Sequence, residues 1–221
     1  MKKWVLLYSG GLDSTVALFD LLARKDEVAC LSIIYGQRHR KELELAAHIT
    51  KTLGVQHQVI DLGALRPIMT GNSQTDSSVE VPEGHYTEES MKLTVVPNRN
   101  MIFLSVAMAA ALSKNFDGVV YAAHGGDHAI YPDCRPEFVR AIQEVAKICD
   151  WKQLEVFAPF LAKTKSEIVL RGMDLDVPFS KTWSCYKGGE KHCGKCGTCV
   201  ERKEAFALAK VSDPTIYESA N

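Results

Sequence analysis

No excess of one charge sign, no cysteine pattern of a disulfide framework and no membrane-length apolar run mark this chain of 221 residues. Each absence removes a class of function. The 26 Lys+Arg against 27 Asp+Glu leave a formal net charge of -1. A protein that grips nucleic acid through many phosphates carries a basic excess, so the balance favours a small-molecule substrate and leaves open only a local basic patch. The apolar stretch 101–112 falls well short of the roughly 20 residues needed to cross a bilayer and reads as a buried helix. At the N-terminus, Lys2 and Lys3 precede Trp4 to Tyr8, but this run stops at Ser9-Gly10-Gly11. It is too short for a signal-peptide core and reads as a first strand. The expectation is a soluble, cytoplasmic protein with no membrane contact. Seven cysteines is an odd count, and four of them crowd into 185–199, which suits a metal in a reducing compartment. Internal repeats and low-complexity tracts are lacking.

What is present alternates. Apolar or β-branched runs at 4–8, 28–35, 59–62, 119–123 and 154–160 predict strands, separated by helix-period segments at 13–23, 41–53, 100–112, 136–149 and 165–171. Continuous apolar strands are those covered on both faces, so the pattern predicts an α/β fold, a doubly wound parallel sheet. The polar stretch 66–100 is too long for a simple connection and is either a lid or disordered. From 178 onward the chain turns rich in Trp, Cys, Gly and Lys and ends in a helical pattern over 198–210. The domain expectation is 1–180 for the sheet and 181–221 for a small C-terminal module packed on it.

The glycine loop Ser9-Gly10-Gly11-Leu12-Asp13-Ser14-Thr15 follows the first strand and opens a helix. Glycines admit close approach of the backbone, free N–H groups point inward and the helix dipole favours phosphate. The loop lacks the Lys of the G-x-x-x-x-G-K-[ST] cradle and does not match G-x-G-x-x-G. Its place at the C-terminal end of a first parallel strand, where ligands bind in open α/β folds, favours nucleotide binding over a mere tight turn.

Cys185, Cys193, Cys196 and Cys199 can close a tetrahedral shell around Zn²⁺, with Gly194 and Gly197 supplying turns between ligands. An iron–sulfur cluster is the rival reading, since Cys-x₂-Cys-x₂-Cys also opens the ferredoxin-type run. Closed four-cysteine sites prefer zinc. Cys30 and Cys149 sit in apolar patterns and read as packing residues.

The glycine loop resembles the SGGxDS signature of the PP-loop ATP pyrophosphatases, a group that includes synthetases and tRNA thiolases. That resemblance implies an adenine nucleotide alpha-hydrolase type of Rossmann-like fold, cleavage of ATP at the α-phosphate, and a nucleotide site over Tyr8, Ser9, Gly10, Gly11, Leu12, Asp13, Ser14 and Thr15. Further stretches extend the likeness nearly end to end: Tyr35-Gly36-Gln37-Arg38-His39, Pro97-Asn98-Arg99-Asn100, Tyr131 to Phe138, Lys163-Thr164-Lys165-Ser166-Glu167, Thr182-Trp183-Ser184-Cys185-Tyr186 and Asp213-Pro214-Thr215-Ile216-Tyr217. Together with the four cysteines they are similar to the 7-cyano-7-deazaguanine synthase family. This implies an ATP-dependent ligase turning 7-carboxy-7-deazaguanine and ammonia into the nitrile, a queuosine precursor. One structural zinc, Mg²⁺ with ATP, and a homodimer are implied with it.

Chemistry adds further candidates. Asp127, in His124-Gly125-Gly126-Asp127-His128 after the fourth strand, either holds Mg²⁺ or a substrate nitrogen or is a solvated loop carboxylate. The two histidines are not read as metal ligands. Lys165 suits phosphate charge, with Thr164 as N-cap. Arg99 and Arg135 offer planar forks for the substrate carboxylate, and Asp133 carries similar weight. Each is otherwise an ordinary surface residue. A PP-loop tRNA thiolase is the alternative enzyme; it needs a reactive cysteine near ATP and a basic tRNA surface. A non-catalytic zinc module that binds nucleic acid is motivated by Lys181, Lys187, Lys191, Lys195, Arg202 and Lys203, but has no use for an α-phosphate loop. The expectation is no direct contact with nucleic acid.

Overall fold

The structure, a computed structural model, describes residues 1–85, 87–126 and 131–218. Its centre is a parallel sheet of β1 (Lys3–Leu7), β2 (Glu27–Ile34), β3 (Gln56–Asp61), β4 (Gly118–Val120) and β5 (Glu155–Phe157). The spatial order is β3-β2-β1-β4-β5, so the winding reverses between β1 and β4. The pleat sends alternate residues of β1 to opposite faces. Trp4, Leu6 and Tyr8 pack with α1 (Leu12–Ala23), α6 (Lys165–Asp174) and α7 (Gly197–Leu208). Val5 and Leu7 pack with α4 (Arg99–Ser113) and α5 (Pro136–Ile148). Two cores on one sheet explain why these strands read as unbroken apolar runs.

Local chemistry sets the helix ends. α6 starts at a capping box in which Thr164 Oγ1 accepts from Glu167 N and the Glu167 carboxylate accepts from Thr164 N, as expected for Thr164. α2 (Lys41–Leu53) stops at Gly54, whose φ of 66° is the left-handed conformation favoured after a helix. Pro136 opens α5, where a missing N–H costs nothing. α4 is entered through Asn98 at φ 54°, a turn that swings Arg99 off the preceding chain.

Several expectations need correction. β3 begins at Gln56, three residues before the expected 59; it is an edge strand with mixed exposure, so its polar start carries no strand signal. β4 and β5 end at Val120 and Phe157, not 123 and 160. Beyond them the chains still touch through the His124 and Phe160 bridge and Gly125 N to Lys163 O (2.8 Å), but they separate enough for Tyr121, Ala122 and Ala123 to line a cleft. Cys149 is exposed at the end of α5, not packed; Cys30 and Cys134 are buried.

The 66–100 stretch is built, with Tyr86 outside the described residues. A 3₁₀ turn spans Gly63–Ile68 and a short helix, α3, spans Glu88–Lys92. Asn72, Ser73, Gln74 and Thr75 are buried, and Asn72 Oδ1 accepts from the backbone N–H of Gln74 (3.0 Å) and Thr75 (3.1 Å). Met69 and Val96 pack under Ile33 and Tyr35, while Val81 joins the cysteine cluster. A polar segment is ordered here because its backbone groups are satisfied internally.

Candidate active site

In doubly wound sheets the crevice opens where the strand order reverses. A cleft of about 250 Å³ lies at this point, against the C-terminal ends of β1, β2 and β4. Its floor includes Ser9, Gly11, Asp13 and Ser14 of the glycine loop.

The loop needs its glycines. Gly10 has φ 80°, and a Cβ there would stand 2.4 Å from the Glu42 carbonyl oxygen and 3.1 Å from Ala46. Gly11 is the N-cap of α1 and offers no side chain to its first turn, which leaves that turn's donors available to an anion. Ser9 Oγ accepts from Gly11 N (3.2 Å) and lies 3.1 Å from Ser14 Oγ. Thr15 Oγ1 donates to Gly11 O (2.8 Å) and lies 3.3 Å from the hydroxyl of Tyr8. Leu12 and Thr15 are buried, and Tyr8, although buried, lines the cleft; burial raises its phenol well above its ordinary pKa.

Of the other predicted residues, Lys165 is brought in. Its Nζ lies 3.6 Å from Asp13 Oδ2 and 3.4 Å from Glu201 Oε2 on α7. The remaining oxygen, Asp13 Oδ1, is buried without a hydrogen-bond partner among the described residues. His124 Nε2 stands 3.9 Å from Asp13 Oδ2. Arg99 lines the cleft and reaches the Tyr35 hydroxyl. Arg135 is the N-cap of α5 and is not among the residues lining the cleft. Asp133 anchors α4, its Oδ2 accepting from Asn100 N (3.1 Å). Asp127 lies outside the described residues, as does His128.

Sequence reasoning assigned no role to the cleft's second wall. Glu42, in the first turn of α2, and His39 and Tyr186 all line it. Burial raises the Glu42 carboxyl to about 8, against the pull of the Gln37 hydrogen bond and the Arg99 charge. Burial and Arg99 lower His39 to about 4. The signal was the Tyr35 to His39 motif at the end of β2; its chemistry was unread because no local pattern marks Glu42.

The four cysteines converge. Their sulfurs all lie within 4.8 Å of one another, and all four residues are buried. Zinc–sulfur bonds of about 2.3 Å imply tetrahedral edges of about 3.8 Å; Cys193 Sγ and Cys199 Sγ are 3.9 Å apart. A span this short would fit one ion and is smaller than a multi-iron cluster needs. Backbone N–H groups of Cys193, Lys195 and Cys196 donate to cysteine sulfurs at 3.3–3.4 Å, the outer-shell support that orients thiolate ligands. Gly194 turns at φ 70°, whereas Gly197 begins α7. Three of the six basic residues nearby are engaged: Arg202 is fully buried, bonded to Thr182, Ser184, Phe179 and Asp213, Lys187 pairs with Glu83, and Lys203 donates to Gly194 O, while Lys181, Lys191 and Lys195 are exposed. Trp183 N donates to Gly10 O (3.0 Å), so the cysteine segment braces the glycine loop.

Sheet order, switch-point cleft and glycine loop together define a nucleotide-binding PP-loop fold, here carrying a cluster of four cysteines that could hold a metal ion. The solved NMN synthetase of Francisella tularensis shares this fold, with a TM-score of 0.55 over 96% of this chain and 78% of that one at 14% identity. The chain belongs to the family of the queuosine biosynthesis protein QueC, whose model matches residues 3–210. It is 52% identical to the 7-cyano-7-deazaguanine synthase of Hahella chejuensis, over 99% of this chain and 94% of that protein. It is 50% identical to the 7-cyano-7-deazaguanine synthase of Psychromonas ingrahamii, over 98% of each. Among the described residues, no helix is long and apolar enough to cross a membrane.

Proposed function

We propose that this protein is an ATP-dependent carbon–nitrogen ligase that converts 7-carboxy-7-deazaguanine and ammonia to 7-cyano-7-deazaguanine. The observation that carries the reading is the glycine loop: a turn open only to glycine, delivering the uncapped first turn of α1 to a cleft. Such a site holds phosphates by backbone N–H groups and dipole. In the absence of a P-loop lysine it suits attack at the α-phosphate.

The chemistry needs two activations. A carboxylate oxygen of the base attacks the α-phosphorus of ATP, expelling pyrophosphate. Ammonia then adds to the acyl carbon and AMP leaves, giving the amide after loss of a proton. The amide oxygen attacks the α-phosphorus of a second ATP, expelling pyrophosphate; AMP then departs with that oxygen as the nitrogen loses its two protons to give the nitrile. Residues 8–15 hold the nucleotide, Ser9 and Ser14 adding hydroxyl donors at the cleft floor. Lys165 counters the charge of the departing pyrophosphate. Arg99 pairs with the carboxylate of the base, supported by its place in the cleft beside Tyr35. The buried, unpartnered oxygen of Asp13 fits a hard cation; Asp13 would hold Mg²⁺, which supplies charge neutralisation to the triphosphate. Arg135 keeps its assignment as a partner for the carboxylate of the base, and Asp127, outside the described residues, keeps its assignment to Mg²⁺ or a substrate nitrogen.

Residues 181–221 form the metal-binding module on the 1–180 ligase domain, and the cysteines hold one structural zinc. We place the enzyme in the cytoplasm as a homodimer using ammonia; the exposed apolar side chains Val145, Ile148 and Trp151 at the end of α5 support self-association. The test is incubation of the metal-loaded protein with ATP, Mg²⁺, ammonium and 7-carboxy-7-deazaguanine, with products read by mass spectrometry. Nitrile with AMP is the expected result. ADP in place of AMP would overturn α-phosphate chemistry, and no turnover would overturn the ligase assignment.

A further inference from the structure

We infer that Glu42, with His39 beside it, is the specificity-determining pair that reads the N1–H and 2-amino edge of the deazaguanine. This rests on the substrate reading above and names the residue that selects that substrate.

The cleft places a carboxyl where a structural role does not require one. Glu42 sits in the first turn of α2, where an acidic residue favours the helix dipole. Glu44, in the same turn, is exposed and serves that purpose without desolvation. Glu42 is turned inward, its side chain 12% exposed. Burying a carboxyl is costly unless donors reach it. Those present are distant: Gln37 Nε2 is 3.4 Å from one oxygen and His39 Nε2 is 3.5 Å from the other, both long for hydrogen bonds. Gln37 is committed elsewhere, donating to Ile33 O (3.0 Å) and accepting from Tyr35 N (2.9 Å). The carboxyl therefore keeps lone pairs for a ligand. His39 is 3% exposed, and its Nδ1 is buried without a partner among the described residues. This wall thus holds several under-used acceptors.

The reacting base fits them. Its pyrimidinone edge presents an N1–H and a 2-amino N–H side by side, the spacing that a carboxylate accepts in bidentate fashion. Adenine's equivalent edge pairs one donor with one acceptor, which only the protonated carboxyl could match; the ionised form, which accepts alone, matches the two donors of the base. In its ionised form Glu42 is therefore matched to the base and not to adenine. Aromatic rings supply the stacking that a planar base requires: Tyr186 lines the cleft with Phe103 and Tyr35, its ring stacked on His39 at 5.2 Å. The raised pKa of Glu42 agrees with this arrangement, since ionising it becomes favourable once two donors arrive.

The experiment measures kcat/KM for 7-carboxy-7-deazaguanine and for its analogue lacking the 2-amino group, on wild type and Glu42→Gln, both metal-loaded. A site built around hydrogen-bond donors rejects the analogue, so wild type should prefer the parent base by about 100-fold or more. In Glu42→Gln that preference should fall below about tenfold, with KM for ATP within about twofold of wild type. Lost packing would lower turnover of both bases alike and leave the ratio intact. Glu42→Asp, which keeps the charge but shortens the reach, should lie between the two and serves if the Gln variant does not fold. A preference unchanged in both variants overturns the inference while leaving the ligase reading standing. A wild-type enzyme that makes no nitrile overturns both.

Discussion

Lys165 Nζ stands 3.6 Å from the Asp13 carboxylate, joining the first turn of α6 to the first turn of α1 across the mouth of the glycine loop. The two residues are far apart in sequence; Asp13 lines the cleft, and Lys165 reaches it from the N-terminus of α6. The pair sets an ammonium and a carboxylate where nucleotide phosphates and their cation would gather. Removing a preorganised cation at such a site costs about 10²–10³ in rate. Lys165→Met should therefore lower kcat with ATP by about that factor while moving Tm by only a few degrees. Steady-state kinetics beside calorimetry check this; an unchanged kcat would make the ion pair purely structural.

The loop itself is the second target. At Gly10, a methyl group would meet the Glu42 carbonyl at 2.4 Å in a backbone conformation of positive φ. Gly10→Ala should lose about 3 kcal/mol of stability through strain and displacement of α2, together with measurable ATP binding. Denaturant unfolding and nucleotide titration are the readouts.

Metal removal should reach further than the cysteine segment. Four buried sulfurs share the core with Trp183 and Val81, α7 runs from the cluster into the main core through Ala205 and Phe206, and Trp183 N holds Gly10 O. Structural zinc contributes on the order of 10 kcal/mol in small domains, so chelation, or Cys196→Ala, should lower Tm by more than about 10 °C and abolish ATP binding as the loop loses its brace. Metal analysis with calorimetry decides; unchanged melting after verified metal loss would refute it.

Cys134 separates the ligase from a thiolase. It is buried, lines the cleft, and accepts from Asn100 Nδ2 at 3.5 Å. A thiolase would need such a thiol as a sulfur carrier; the ligase uses it only as packing. Cys134→Ala should keep nitrile formation within about fivefold of wild type, since it loses only a small buried group. Complete loss of activity in a folded variant would favour the thiolase.

The buried wall predicts opposing pH effects. Glu42 is raised from 4.5 to about 8, so the folded state keeps a proton that the unfolded chain has released. Its contribution to stability is fully present below about pH 4.5 and is lost as pH rises toward 8. His39 is lowered from 6.5 to about 4, so its contribution is present above 6.5 and is lost as pH falls toward 4. Arg99 and Gln37 face the same pair and remain unchanged across this range. In Tm against pH, Glu42→Gln should gain on wild type between pH 5 and 8, and His39→Asn should gain between pH 6.5 and 4. Parallel curves would show that neither group is buried as described.

The sequence by itself determined whatever depends on neighbours along the chain. Strand, glycine turn and helix start in one stretch define the phosphate loop, because a backbone cradle is built from consecutive N–H groups. Four cysteines within fifteen positions define a metal shell, and Thr164 with Glu167 defines a cap. Tertiary structure decided everything that depends on water being excluded by distant segments. Glu42 looks like any first-turn acid until His39, Arg99 and the cleft close around it. Cys149 completes an apolar pattern yet is exposed, since none of the described residues of this chain covers that end of α5. Arg99 and Arg135 are alike as residues, but the left-handed turn at Asn98 and the edge of α4 carry only Arg99 into the cleft. Within the polar stretch 66–100, Asn72 holds the backbone of Gln74 and Thr75 by hydrogen bonds that no periodicity records. Desolvation and long-range packing are properties of the assembled fold, and here they select which of the legible residues face the substrate.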